Sequence, residues 1–346
     1  MYFKIIKGEL KMKRIKFLLV ISILVLVLST VSLGVMATST WKIAHVCIAE
    51  ADNSYHATCL KFKEIVEEKT NGRIKFEIYP QMQLGSDREI LEGVQTGLIE
   101  VSASTLGPAS AFGVGIVDLL ELPFLYKNIE HLDAVLDGPI GEELLGSFEK
   151  VGFKALGFFD DGIANFTNSK RQLHSAKDFK GLQMRTMEAP IKIATMKALG
   201  GNPVPIAYAE LYSALQTGVV DGQSNAHWVT VARSLWEVQK YVSCTQHCWG
   251  GAVLLVNFKK FNALSLEDQQ IVIEAGKEAC QYGRKMGRGA EDRHLQTCIE
   301  HGMIVDLNPD TESMREATEQ VYEDIYNKHD DWKQVIVEIK KLASDF

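Results

Sequence analysis

Residues 179–225 read FKGLQMRTMEAPIKIATMKALGGNPVPIAYAELYSALQTGVVDGQSN. A short stretch in which apolar residues alternate, 182–184, ends on a lone arginine, Arg185, and about forty residues later a Gly-Val-Val-Asp-Gly turn leads into Ser224 and Asn225. Read in isolation, Arg185 is a surface residue at a strand end and Asn225 a turn residue following Gly222. The pattern around them says more.

The six residues before Gly222, Gln-Thr-Gly-Val-Val-Asp at 216–221, echo Gln-Thr-Gly-Leu-Ile-Glu at 95–100, an offset of 121 residues. Each copy follows an amphipathic helical pattern and leads into a short polar stretch, Ser102-Ala103-Ser104 or Gln223-Ser224-Asn225. The glycine permits the turn that leaves the helix, and the acidic residue follows at the same offset. Such a repeat predicts two similar lobes, each delivering a strand end to a shared cleft. The local pattern agrees. Ile74, Phe76 and Ile78 alternate with Lys75 and Glu77 as in a half-buried strand. Ala57, Leu60 and Val66 mark one face of a preceding helix, capped at Asn53 or Ser54 and stopped by Asn71-Gly72. Ser86-Asp87-Arg88-Glu89 forms a capping box ahead of Ile90, Leu91, Val94 and Leu98. Alternating strands and helices imply open α/β layers with ligands at the carboxyl ends of the strands.

Residues 265–300 read as nearly continuous helix, capped by Ser265 with Asp268 and stopped at Gly302. Gly276, Gly283, Gly287 and Gly289 each cost it about 1 kcal/mol against alanine, so a kink is expected there. Residues 1–37 read as a cleaved secretion signal: Lys11, Lys13, Arg14 and Lys16 precede an apolar run over 17–33, then Val35-Met36-Ala37. Met12 is an equally good start, and an uncleaved anchor is the alternative. Loss of those residues takes the net charge from −7 to −12, which argues against a nucleic-acid partner. The six cysteines are too sparse for a disulfide scaffold and read as buried thiols. Cys244 and Cys248 flank His247, but no second cluster completes a metal site. No G-x-S-x-G, H-E-x-x-H or phosphate loop is present, so neither an enzyme, a cofactor nor a metal is expected. Asp160-Asp161 resembles a carboxylate pair, yet neighbours on a strand point to opposite faces.

The arginine, the DGQSN run and the LGSDRE helix entry together resemble the extracytoplasmic solute-binding proteins of tripartite ATP-independent periplasmic (TRAP) transporters, of the dicarboxylate-binding type. The resemblance covers essentially the whole chain after residue 37. It implies a two-lobed periplasmic-binding-protein architecture with a ligand cleft between the lobes and a long helix spanning both. The expected division is 38–162 with 251–290 for lobe I, and 163–250 with 291–346 for lobe II. It implies a monomeric periplasmic receptor that captures a small organic acid and delivers it to the small and large integral-membrane permease subunits. A sensor with the same fold is an alternative. Arg185 would grip the substrate carboxylate, whose geometry suits a guanidinium fork. Asn225 offers donor and acceptor beside it. Asp87 would reach ligand hydroxyls and Tyr208 would pack on the ligand. Glu50, His56, Glu188 and Trp228 complete the expected pocket, each also open to an ordinary structural role.

One departure bears on the ligand. Similar proteins with a stretch like DDGIANFTNSKR carry a second arginine two residues after the glycine, where this chain has Ala164 after Gly162 and Ile163. With one cationic anchor, the expected ligand carries one carboxylate and several hydroxyls, as a sugar acid does. A four-carbon dicarboxylate is the alternative, with His56 or Arg88 standing in for the missing arginine.

Overall fold

The computed structural model describes residues 38–346. The expected secretion signal and both candidate start residues lie outside them. One nine-stranded mixed sheet carries the fold. Its strands are β1 (Ser39–Ala44), β2 (Ile74–Tyr79), β3 (Val101–Thr105), β4 (Phe153–Asn168), β5 (Gln183–Thr186), β6 (Asn202–Pro205), β7 (Gly222–Asn225), β8 (Tyr241–Asn257) and β9 (Ile304–Asp306). They lie in the order β2-β1-β3-β8-β4-β7-β5-β6, with β9 added alongside β8.

The two long strands explain how one sheet serves two halves. β4 and β8 run antiparallel from Phe153 opposite Asn257 to Asn168 opposite Tyr241. At one end β3 pairs with Ala252–Val256 of β8. At the other, β7 pairs with Asn165–Asn168 of β4. Between these neighbours the register shifts around Asp161, so that Asp160 faces Gly251 while Gly162 faces Gly250. A bulge of this kind bends the strand and re-aims the extra side chain. Gly162 takes a φ of +109° there, a conformation only glycine holds without strain.

The repeat sits where the sequence places it. Helix α1 (Ser54–Lys69) is capped by the Asn53 side chain. Helix α2 (Asp87–Thr96) starts at the Ser86–Glu89 capping box and ends on left-handed Gly97, then leads to β3. In the second copy, α3 (Pro190–Ala198) follows β5, and α4 (Leu211–Gln216) runs through Gly218, also at positive φ, into β7. Helix α5 (His227–Ala232) comes next.

The long helix α6 (Leu266–Glu300) is a single element of 35 residues, about 50 Å at 1.5 Å per residue. Gly276, Gly283 and Gly287 mark close approaches rather than a break in the helix. A Cβ on Gly283 would collide with Thr58 of α1, and one on Gly276 with Leu156 of β4. Arg288 ties α6 to the sheet through Asp160 at 2.5 Å and to the helix Ile129–Asp137 through Asp133 at 2.8 Å. Helix α7 (Thr311–Tyr326) packs on α3. The last helix, α8 (Asp330–Leu342), returns to the first half of the chain. Ile336 and Ile339 are buried there, and the Ile339 carbonyl lies 2.9 Å from His131 Nε2. Its packing therefore crosses the division expected for 291–346. All six cysteines are free thiols, five of them buried.

Candidate functional site

Arg185 is the last residue but one of β5, and the strand's parallel pairing with β6 and β7 holds that side chain beneath the 206–209 segment. Arg185 is 2% exposed. Its Nε donates to the Ile206 carbonyl at 2.8 Å, which fixes the plane of the fork. Nη1 is buried with no hydrogen-bond partner among the described residues. Burial draws this group down to about 10, against the opposing charges of Asp161, Tyr208 and Asp87. A buried guanidinium with a free face is a costly arrangement unless something anionic completes it.

That face lines a cavity of about 120 Å³. Asp87, Tyr208, Glu188, Asn225 and Trp228 line it too, so six of the eight residues singled out in the sequence meet at one place. Asn225 closes β7, where its amide donates to Gln223, whose own amide reaches Thr167 at 2.9 Å. Trp228 opens α5, with its indole nitrogen 2.5 Å from the Asp161 carbonyl. Tyr208 is backed by the Arg233 guanidinium, 4.2 Å from its ring centroid. Asp87 stands in the first turn of α2, where burial pushes its carboxyl up to about 6 against hydrogen bonds from Thr105 and the charge of Arg185. Glu188 and Arg88 are exposed at the rim, and Arg88 pairs with Glu92 at 3.0 Å.

Two expected residues lie elsewhere. His56 lines no part of this cavity: the Asn53 cap sets the start of α1 so that its ring turns toward His45, with Nδ1 3.1 Å from His45 Nε2. Glu50 is exposed and borders a larger cavity, about 810 Å³, together with Arg288, Glu291 and His227. That larger cavity does not contain Arg185. We assign the site to the smaller one because the buried, unsatisfied guanidinium is there.

Sequence reasoning missed Asp161 and Thr105. Thr105 ends β3 one residue beyond the position that repeats Asn225, so the internal repeat pointed to it. Asp161 sits in the bulge and faces the cavity, while Asp160 turns away to Arg288 and to the indole of Trp249 at 2.8 Å. The two aspartates do point to opposite sides. A smaller space of about 30 Å³ adjoins the cavity, sharing Asp161, Met187 and Asn225 and bordered by Ala164 and Lys192. Lys192 is not a free cation. It pairs with Glu121 at 3.1 Å and donates to Cys248 Sγ at 3.1 Å.

A cavity of about 120 Å³ against a buried arginine, lined from both ends of one sheet, suits a small-solute receptor, and the comparisons agree. The profile of the bacterial extracellular solute-binding proteins, family 7, matches residues 43–329, and the chain belongs to that family. The 2,3-diketo-L-gulonate-binding periplasmic protein YiaO of Escherichia coli is 31% identical over 80% of this chain and 84% of its own. The C4-dicarboxylate-binding periplasmic protein DctP of Rhodobacter capsulatus is 31% identical over 83% and 85%. A TRAP periplasmic solute-binding protein from Polaromonas, solved with D-erythronate bound, superposes with a TM-score of 0.83 at 32% identity, over 87% of this chain and 98% of that one. The fold is thus the two-lobed TRAP receptor architecture. The proteins of this family are receptors serving TRAP permeases. Among the described residues no helix is long and apolar enough to cross a membrane.

Proposed function

We propose that this chain is exported by its first 37 residues and works in the periplasm as a monomeric receptor. It binds a small hydroxylated monocarboxylate between its lobes and passes it to the two membrane subunits of a TRAP permease. The observation that carries this reading is the free, buried Nη1 of Arg185. A carboxylate seated there completes the fork, with Asn225 beside it, while Asp87 accepts from hydroxyls. The Polaromonas and Escherichia coli proteins, which bind a four-carbon and a six-carbon sugar acid, support the same class. The lobes would divide near the Asp160–Gly162 bulge and Gly250, and α8 would move with lobe I. Closure follows because ligand contacts from β3 and α2 on one side and β5 and β7 on the other favour the closed form.

A four-carbon dicarboxylate is the second reading, favoured by the Rhodobacter relative. Against it stand the absence of a cation at Ala164 and the pairing of Lys192 with Glu121. A distal carboxylate would be desolvated without a partner, a penalty of several kcal/mol. Calorimetry across succinate, malate, aldonates, uronates and simple hydroxy acids tests the choice. Succinate or malate binding more tightly than every hydroxylated monocarboxylate would overturn it.

A further inference from the structure

We propose that Asp161 is a proton-carrying specificity residue of the binding cavity. It takes up a proton when an acid seats its carboxylate on Arg185, and then donates a hydrogen bond to a ligand oxygen. This rests on the reading of the cavity as an organic-acid site.

The inference comes from a charge inventory of the enclosed space. From β5 comes Arg185, 2% exposed and partly unpaired. From α2 comes Asp87, and from the β4 bulge Asp161. From α1 comes the neutral Tyr55, whose hydroxyl bonds Thr105 at 3.1 Å and also restrains Asp161. The 206–209 segment supplies Tyr208, α5 supplies Trp228, and Cys47 follows β1; none of them is cationic. Lys192 of α3 is neutralised by Glu121 and backed by Cys248 of β8. Arg233 lies behind the Tyr208 ring, Arg88 at the rim is paired with Glu92 at 3.0 Å, and Glu188 is exposed there. One guanidinium therefore faces two carboxyl groups before any ligand enters. A bound carboxylate makes three anionic groups against one cation in a space that closes to water. Like charges so placed cannot all stay ionised.

Of the two aspartates, Asp161 is the one poised to change state. Burial pushes it up to about 7, and the nearby Glu121 and Asp87 add to the effect, against Tyr55 and Lys192. It borders the main cavity and the small space beside Ala164, and it also lines the larger cavity, where Arg288 is held by Asp133 and Asp160 and burial keeps His227 neutral. A protonated carboxyl at this point supplies a donor where the chain lacks its second arginine. The sign follows directly. An arriving anion raises the Asp161 pKa further, so binding takes up a proton and weakens as pH rises. A ligand bringing a second negative charge demands a second proton, which sets monoanions above dianions.

The experiment is titration calorimetry with sodium D-erythronate, D-gluconate and D-glucuronate, in phosphate and in Tris at pH 7.5, with repeats at pH 8.5. Wild type should take up between about half a proton and one proton per ligand, and its Kd should rise roughly five- to tenfold from pH 7.5 to 8.5. Asp161→Asn carries a neutral donor at all pH values. It should lose most of the uptake and bind more tightly than wild type at pH 8.5, an outcome that a merely structural role would not produce. Asp87→Asn should keep the uptake, and it serves as the test if Asp161→Asn fails to fold. Binding heat that is independent of buffer in wild type, or full uptake retained in Asp161→Asn, overturns the proposal alone. No binding by any acid overturns the function on which it rests.

Discussion

Replacing Arg185 tests the proposed site most sharply, because its expected effect on binding can be read apart from its effect on folding. In the ligand-free protein the side chain makes one fixed hydrogen bond, Nε to the Ile206 carbonyl at 2.8 Å, and leaves Nη1 unsatisfied. Arg185→Ala therefore loses about 1 kcal/mol of hydrogen bonding and removes a buried charge whose desolvation was already costly. Asp87 and Asp161 lose their nearest counter-charge and respond by holding protons. The free protein should melt within a few degrees of wild type. Binding is another matter. The ligand carboxylate loses its bidentate, desolvated partner, a loss of roughly 2–5 kcal/mol, or about thirty-fold to several thousand-fold in Kd. Arg185→Lys should recover less than half of that. An ammonium reaching the Ile206 carbonyl has no second arm for the ligand, whereas the guanidinium serves both at once. Calorimetry for Kd and a thermal melt without ligand read the two effects independently. Wild-type affinity in either variant refutes the assignment, and so does a binding loss that merely follows a collapse in melting temperature.

Three further expectations follow. A cavity of about 120 Å³ is near the size of an engineered void that holds benzene, about 150 Å³, so erythronate should bind at least as tightly as the hexuronates; a tenfold preference for glucuronate would count against this. Small-angle scattering should show a smaller radius of gyration with saturating ligand than without, and an unchanged radius would argue for a receptor already closed. Gly283→Ala drives a methyl into Thr58 and should cost roughly 1–3 kcal/mol, whereas Gly289→Ala, where a Cβ meets nothing within 4 Å, should be neutral or stabilising by up to about 1 kcal/mol. Equal melting shifts in the two glycine variants would show that the long helix does not need its close approach to α1.

The sequence revealed local order well and side-chain aim less well. The echoed QTG turns and the Asn53 and Ser86 caps depend on short-range chemistry that the local sequence records directly, and so do the short strands that carry Arg185 and Asn225. Glu50 and His56 were placed near the pocket from their position at the start of α1. The rotation of that helix about its axis, set by the Asn53 cap and the His45 contact, turns His56 away, while Glu50 lies ahead of the cap and borders the larger cavity. Asp161 reads in the sequence only as half of a dismissed carboxylate pair, for a related reason: an alternating strand says which face a residue occupies only until a bulge resets the count. The destination of α8 was not legible either. An apolar stripe containing Ile336 and Ile339 announces that a face must be covered, but not by which part of the chain.

The shared pair β4 and β8 has a consequence for how the chain is made. Phe153 finds its partner only at Asn257, and the strands of both halves hang on that ladder. A growing or translocating chain that stops short of residue 257 holds two unfinished sheets, each with a long open edge. Neither half can therefore mature ahead of the other. The molecule should acquire its structure late and in one step, from a chain already delivered whole, and a fragment cut between the halves should be insoluble where the intact protein is not.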